Sequence, residues 1–275
     1  MSVVTFCGTG KEQVGKTLSL VGIATNMAIE HNKKILIISA SYNNDTIKNC
    51  FWGENSTKKV ALFRHPNKIS LDNGIEGLSK IIQSNKITPE LITDYTKIVF
   101  RNRLEILLGF EQNTSFSNEE IGRTYVDIVK LADKYYDIVF VDLDNEVQDD
   151  ARKEILELSD VVMLTASQKL TSINALKKTH SMLPRNKSTF LIGRYDRKSK
   201  FTTKNLTRYL GERREILAIP YNTLFFEASE EAQVPDLFLK LRNIKDQSDE
   251  NEYFINQIKK VSTEILNKIQ EAKMI

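Results

Sequence analysis

Short runs of apolar residues recur along the chain, and most of them are continuous rather than alternating. Six runs have the length of strands: 3–7 (VVTFC), 34–39 (KILIIS), 137–142 (DIVFVD), 160–165 (DVVMLT), 188–192 (STFLI) and 217–220 (LAIP). Continuous apolar runs are typical of strands that are buried on both faces of a parallel sheet. The pattern therefore predicts a mostly parallel sheet with a large buried core.

The stretches between these runs carry apolar residues at helical spacing. In the first of them, Leu18, Val21, Ala24 and Ala28 fall on one face of a helix that starts near Gly15. A strand, a helix and a second strand within about 35 residues form a βαβ unit with a right-handed crossover. Because the alternation continues along the chain, we predict a doubly wound α/β sheet flanked by helices.

The middle of the chain, 43–123, is less regular. It predicts a helix over 74–83, a weak strand over 104–107 and an exposed polar loop over 111–118. Further on, the polar segment 242–252 (RNIKDQSDENE) predicts a hinge before one last helix. We therefore expect a main domain over 1–241, followed by the hinge and a C-terminal helix over 242–275 that packs on or next to it.

The last helix is amphipathic, with two possible roles. Its apolar positions follow helical spacing: Phe254, Ile258, Val261, Ile265, Ile269 and Ala272. Packing on its own sheet is the favoured role. Lysines elsewhere on the helix make a peripheral membrane contact the alternative, which Glu264 and Glu271 weaken by diluting the positive charge.

Residues 10–17 (GKEQVGKT) match the pattern G-x-x-x-x-G-K-[ST], with a predicted strand before them and a helix after them. Backbone N–H groups of such a loop and the dipole of the following helix favour phosphate oxygens. Lys16 would then bridge the β- and γ-phosphates of a nucleoside triphosphate, and the Thr17 hydroxyl would bind Mg²⁺. The expected phosphate contacts are Gly10, Lys11, Glu12, Gln13, Val14, Gly15, Lys16, Thr17 and Leu18.

Composition narrows the choice of function class only a little. The 39 lysines and arginines against 36 aspartates and glutamates give a net charge of +3, too small to indicate nucleic-acid binding by itself. Two cysteines provide neither a disulfide framework nor a metal site, as expected in a reducing compartment. We find no apolar run of about 20 residues and no signal-peptide pattern, so we expect a cytoplasmic protein.

Lys11, one place after the first glycine, resembles the signature lysine in the deviant Walker A loop of the ParA/MinD family of P-loop ATPases. In that family this lysine reaches across a dimer interface to the nucleotide of the other subunit. The resemblance implies ATP with Mg²⁺ as ligands and a homodimer that forms on ATP binding. It also gives Lys11 and Lys16 catalytic roles.

The resemblance continues at three later strand ends. Asp142 matches the Walker B aspartate, which holds Mg²⁺ through water and is the third residue with a catalytic role. In 190–196 (FLIGRYD), Arg194 matches the family's "NRY" strand end beside the base, although Gly193 replaces the usual Asn. Pro220 and Tyr221 in 217–222 (LAIPYN) match the segment along the adenine pocket, as do Ala228 and 234–235 in the sequence after it.

Two departures from the family pattern concern hydrolysis. The second strand normally ends in D-x-D, whose first aspartate positions the attacking water, whereas this chain has Ser39 and Ser41. Asp45, four residues on, is one candidate to replace this water-positioning aspartate by reaching back. Asp144 is the other candidate, although it can instead belong to a switch loop over 143–148. Glu12 and Gln13 also replace two glycines. We therefore expect slow or absent turnover, since a serine hydroxyl is a poor base.

Within the family, the chain is most similar to the TadZ/CpaE group of pilus-assembly ATPases, through the "NRY"-like strand end, the IPYN segment and 102–109 (NRLEILLG). The resemblance implies an ATP-dependent dimeric organiser of a pilus or secretion machine, with protein partners there and recruitment to the membrane or a cell pole. The alternative is a DNA-partition ATPase, for which 194–204 supplies a basic run. An enzyme acting on a small molecule is disfavoured because no further catalytic cluster is evident.

Overall fold

The computed structural model describes residues 1–8, 13–42, 44–53, 74–84, 88–184, 186–212, 216–246 and 248–274. Within them one eight-stranded sheet has the order β3-β4-β2-β5-β1-β6-β7-β8. The strands are β1 (Val3–Gly8), β2 (Ile35–Ala40), β3 (Lys97–Phe100), β4 (Leu104–Leu107), β5 (Ile138–Leu143), β6 (Val161–Ala166), β7 (Ser188–Tyr195) and β8 (Leu217–Pro220). All neighbours are parallel except β3 and β4.

Helices join the strands and cover both faces of the sheet. They are α1 (Lys16–Glu30), α2 (Asp45–Phe51), α3 (Ile75–Gln83), α4 (Asn118–Asp133), α5 (Asp149–Leu158), α6 (Leu170–Met182), α7 (Thr203–Leu210), α8 (Thr223–Glu230), α9 (Val234–Leu241) and α10 (Glu250–Lys273), with a 3-10 helix at Pro89–Asp94. One core lies under α1, α2, α8, α9 and α10, and the other under α3 to α7. The predicted doubly wound sheet is confirmed.

The predicted strand over 104–107 is β4, and the predicted helix over 74–83 is α3, which begins at Ile75. The sequence pattern missed β3. This strand lies at the sheet edge, with Lys97 and Ile98 exposed, and it pairs antiparallel to β4. Its apolar run, 98–100 (IVF), is short, so the pattern of long continuous runs did not single it out.

Helix α10 packs against α1 and β8. Its buried side chains include Phe254, Ile258, Val261 and Ile265, so the apolar face of this helix lies against the domain. Gly22 of α1 makes the close approach possible, because a Cβ there would lie 3.2 Å from Ile258 Cδ1. Among the helices that the structure describes, none combines the length and apolar character needed to cross a bilayer.

Candidate nucleotide-binding site

The first functional element is the turn from β1 into α1. Gly15 precedes the helix with φ +76°, a left-handed conformation that glycine adopts without strain. The first turn of α1 (Lys16, Thr17, Leu18 and Ser19) carries no carboxylate. The Ser19 N–H already donates to the Gly15 carbonyl at 2.9 Å. The N–H groups that precede it at the helix N-terminus and the positive end of the helix dipole favour an anion.

Three side chains meet beneath this turn. Asp142, near the end of β5, is buried, and its Oδ2 accepts a hydrogen bond of 2.7 Å from Thr17 Oγ1. Lys16 Nζ lies 2.8 Å from Asp142 Oδ1 and donates to the Leu143 carbonyl at 2.7 Å. The parallel register that sets β5 beside β1 brings these residues together, although they lie 125 positions apart or more.

The same cluster has the chemistry of a magnesium site. Asp142 Oδ1 is buried and receives no hydrogen bond from the described residues, because its contact with Lys16 is an ion pair without hydrogen-bond geometry. Mg²⁺ prefers oxygen ligands and retains several waters, so a hydroxyl and a carboxylate oxygen suit it. Thr17 and Asp142 therefore fit a magnesium ion that also binds phosphate.

A cavity of about 480 Å³ opens above this cluster, within the size range of small-molecule sites. It lies at the carboxyl ends of the parallel strands, where doubly wound folds bind their ligands. The lining residues are Gly8, Gln13, Val14, Gly15, Lys16, Thr17, Leu18, Ser19, Thr46, Leu143, Asp144, Asn145, Arg194, Ile219, Pro220, Tyr221, Asn222, Phe225, Phe226 and Glu230.

Most of the predicted site residues therefore meet in one place. Residues 13–18, Arg194, Pro220 and Tyr221 line the cavity, and Asp142 lies beneath it. Gly10, Lys11 and Glu12 lie outside the described residues. Ala228 and Val234, which the resemblance placed along the base pocket, are instead buried in the core and do not line the cavity.

A bulge in β7 explains the glycine that departs from the family pattern. A Cβ at Gly193 would lie 2.1 Å from the Val14 carbonyl oxygen, so a side chain has no room there. The next residue, Arg194, has φ +52°, and the register with β8 shifts at this point. Its Cγ lies so near Gly15 that a Cβ on Gly15 would approach it to 2.9 Å. The bulge thus directs Arg194 over the phosphate loop.

Aromatic side chains form the other end of the cavity. Tyr221 is 49% exposed, its ring lies 5.9 Å from the Arg194 guanidinium carbon, and its centroid is 6.4 Å from that of Phe226. The Asn222 amide is held in place, because its Oδ1 accepts from Phe225 N and its Nδ2 donates to Asn251 Oδ1. A flat, exposed aromatic surface here suits stacking on a base.

Sequence reasoning missed several lining residues. Thr46 on α2 and Glu230 on α8 reach the cavity because these two helices pack together across the sheet end, which no local pattern shows. Phe225 and Phe226 were within reach of a prediction, since they closely follow the IPYN segment. Asp45 is exposed and does not line the cavity, so the described geometry does not supply it as a carboxylate there.

Cys7 lies below the loop as an inert thiol. It is buried, and burial raises its pKa to about 11 against the opposing charges of Lys16 and Arg152. A neutral thiol is neither a nucleophile nor a metal ligand. The chemistry of the cavity therefore rests on its lysine, hydroxyl and carboxylate groups.

No protein-family profile matches the chain, and no curated protein sequence matches it. Solved structures do. A ParA family ATPase from Chlorobium tepidum TLS has a TM-score of 0.67 at 15% identity, covering 95% of this chain and 98% of the other. The MinC:MinD cell division complex of Aquifex aeolicus gives 0.65 at 15% identity, with 97% and 96% covered.

A third similar structure holds a nucleotide analogue. It is a putative plasmid partition protein from Borrelia burgdorferi bound to AMPPNP, with a TM-score of 0.60 at 17% identity, covering 99% of this chain and 98% of the other. All three similarities extend over nearly the whole of both chains. The protein therefore has the fold of the ParA and MinD ATPases, an eight-stranded, mostly parallel sheet flanked by helices.

Proposed function

We propose that the chain is an ATP-binding protein of the ParA/MinD family, with Mg²⁺ as its metal. The observation that carries this proposal is the cluster of Lys16, Thr17 and Asp142 below a left-handed glycine turn. Lys16 binds the terminal phosphates, which replace its contacts to Asp142 and Leu143. Thr17 and Asp142 hold the metal, the latter through water.

The other end of the cavity binds the base in this proposal. Pro220 and Tyr221 supply an apolar and an aromatic surface, and Arg194 lies between them and the phosphate loop. The distribution of groups supports this orientation, because Lys16 and the helix N-terminus lie at one end and the aromatic rings at the other. Adenine rather than guanine follows from the resemblance to the family.

The biological role in this proposal is a nucleotide-dependent dimeric organiser of a pilus or secretion assembly, similar to the TadZ/CpaE group. Lys11 contacts the nucleotide of the second subunit, and ATP stabilises the dimer by its higher affinity for that state. The MinC:MinD complex supports partner binding by a protein of this fold. Hydrolysis is weak or absent, because Ser39 and Ser41 stand at the end of β2.

The test is calorimetry with ATP and Mg²⁺, together with light scattering for the oligomeric state. The wild type is compared with Lys11→Ala and Lys16→Ala, and Lys33→Ala, an exposed lysine away from the cavity, is the control. We expect the wild type and the control to bind ATP and dimerise. Lys16→Ala should lose binding, whereas Lys11→Ala should lose dimerisation. A wild type that binds no nucleotide would refute the proposal.

A DNA-partition ATPase is the second candidate. The observation in its favour is an exposed basic cluster that runs from the end of β7 into the first turn of α7, formed by Arg197, Lys198, Lys200 and Lys204. Glu250 lies 3.8 Å from Arg197 and reduces the local charge. Nonspecific DNA binding that requires ATP and weakens steeply with salt would favour this candidate over the organiser.

A further inference from the structure

Asp144 is a second carboxylate at the phosphate end of the cavity. It follows Leu143, whose carbonyl holds Lys16 Nζ at 2.7 Å, and it lines the cavity together with Lys16 and Thr17. Asp142 is buried and engaged with both of those residues, whereas Asp144 is half-buried and borders the open space. The other carboxylate in the described lining, Glu230, belongs to α8, near the aromatic end.

The position of Asp144 is fixed by the sheet and by two hydrogen bonds. Its backbone N–H donates to the Ala40 carbonyl at 3.0 Å, which extends the pairing of β5 with β2 by one residue. Oδ1 accepts from the Asn145 backbone N–H at 2.6 Å, and Oδ2 accepts from Ser41 Oγ at 3.3 Å. A carboxylate has about four acceptor positions, so it can still accept from a water.

The residue after Asp144 ties this segment to the start of the phosphate loop. Asn145 Nδ2 donates to the Gly8 carbonyl at 3.2 Å, and Asn145 Oδ1 accepts from Arg152 of α5 at 2.6 Å. These two hydrogen bonds hold the segment that carries Asp144 against the start of the phosphate loop and against α5.

The serine at the end of β2 matches this arrangement. Ser41 carries a neutral hydroxyl, which donates to Asp144 Oδ2 at 3.3 Å and places no second negative charge beside this carboxylate. Ser39 is buried and its hydroxyl does not reach the cavity. The carboxylate thus belongs to the end of β5, with a neutral donor on β2 to orient it.

We propose that Asp144 orients and deprotonates the water that attacks the γ-phosphate, and that Ser41 is its positioning residue. This inference rests on the proposed binding of ATP. The water oxygen forms the new bond to the γ-phosphorus, while the bond from that phosphorus to the β–γ bridging oxygen breaks and ADP departs with the electron pair. Asp144 accepts the water proton and returns it to the phosphate. Turnover is slow but is not absent.

The test separates chemistry from binding. Asp144→Asn keeps the shape of the side chain and removes the base, so phosphate release at saturating ATP should fall about 100-fold or more. Affinity for AMPPNP, measured by calorimetry, should stay equal or become tighter, because a negative charge next to phosphate is lost. A merely structural defect would weaken both. Asp150→Asn, an exposed aspartate on α5, is the matched control and should change neither quantity.

Ser41→Ala provides a second, milder variant. Loss of one hydrogen bond of about 1 kcal/mol should reduce turnover roughly fivefold and leave AMPPNP affinity unchanged. The inference is overturned if Asp144→Asn releases phosphate at the wild-type rate, or if the wild type binds ATP but releases none. A wild type that binds no nucleotide refutes the proposed function instead, and this inference with it.

Discussion

Gly193→Ala should damage both the stability of the protein and its nucleotide site. The new Cβ would lie 2.1 Å from the Val14 carbonyl oxygen and 3.2 Å from the Val14 carbonyl carbon, whereas an ordinary contact is 3.4 Å or more. Because the obstacles are backbone atoms, no side-chain rotation relieves the clash. The phosphate loop and β7 must separate by about 1.3 Å to restore an ordinary contact.

The size of the effect follows from this displacement. Overpacking of this kind costs about 1–3 kcal/mol, which lowers the melting temperature of a chain of this size by roughly 2–10 °C. A shift of about 1 Å at a phosphate-binding loop can reduce function on the order of 100-fold. Thermal unfolding and calorimetry with ATP measure the two consequences separately.

Gly53→Ala is the control for this experiment. Among the described residues, the nearest neighbour of a Cβ there would be Ala232 Cβ, at an ordinary 3.6 Å. We expect that variant to melt and to bind ATP like the wild type. If Gly193→Ala also kept the wild-type melting temperature and affinity, the loop would not pack on β7 as described.

Three further predictions concern the metal, the buried thiol and the last helix. Asp142→Asn should abolish the gain in ATP affinity that Mg²⁺ provides and leave ATP binding without metal intact. Titrations with ATP in the presence and absence of Mg²⁺ measure this gain, and an unchanged gain would exclude Asp142 from the metal site. The pKa of Cys7 rises from 9.0 to about 11, so above pH 9 the unfolded thiol ionises while the folded one does not. Cys7 should therefore contribute a fall of up to roughly 3 kcal/mol in the free energy of unfolding between pH 9 and 11. Burial raises the pKa of the Cys50 thiol in the same direction, so Cys7→Ala should reduce the slope in denaturant titrations without removing it. Ile258→Asp should destabilise the fold by more than about 3 kcal/mol because it buries a charge. Asn256→Asp, on the exposed side of α10, is the control and should melt at the wild-type temperature. Equal melting temperatures for the two variants would contradict the packing of this helix.

The sequence by itself determined most of the strands, the phosphate turn and the general type of fold. Continuous apolar runs predicted β1, β2, β5, β6, β7 and β8 to within a few residues, because burial on both faces leaves a local pattern. The motif over 10–17 predicted the turn at Gly15, since its chemistry depends on neighbouring residues. Asp142 could be singled out for the same reason, as an aspartate at the end of an apolar strand.

Other features depended on the tertiary structure. Gly193 departed from a family pattern in the sequence, and only the approach of Val14 shows why a side chain is excluded there. Thr46 and Glu230 border the cavity because α2 packs on α8, a contact between helices that are far apart in the chain. Asp144 stood as one of two substitutes for a missing carboxylate, and its place in the cavity lining distinguishes it from the exposed Asp45. Local patterns record burial and turn geometry, whereas the meeting of strand ends and helix faces depends on how the whole chain packs.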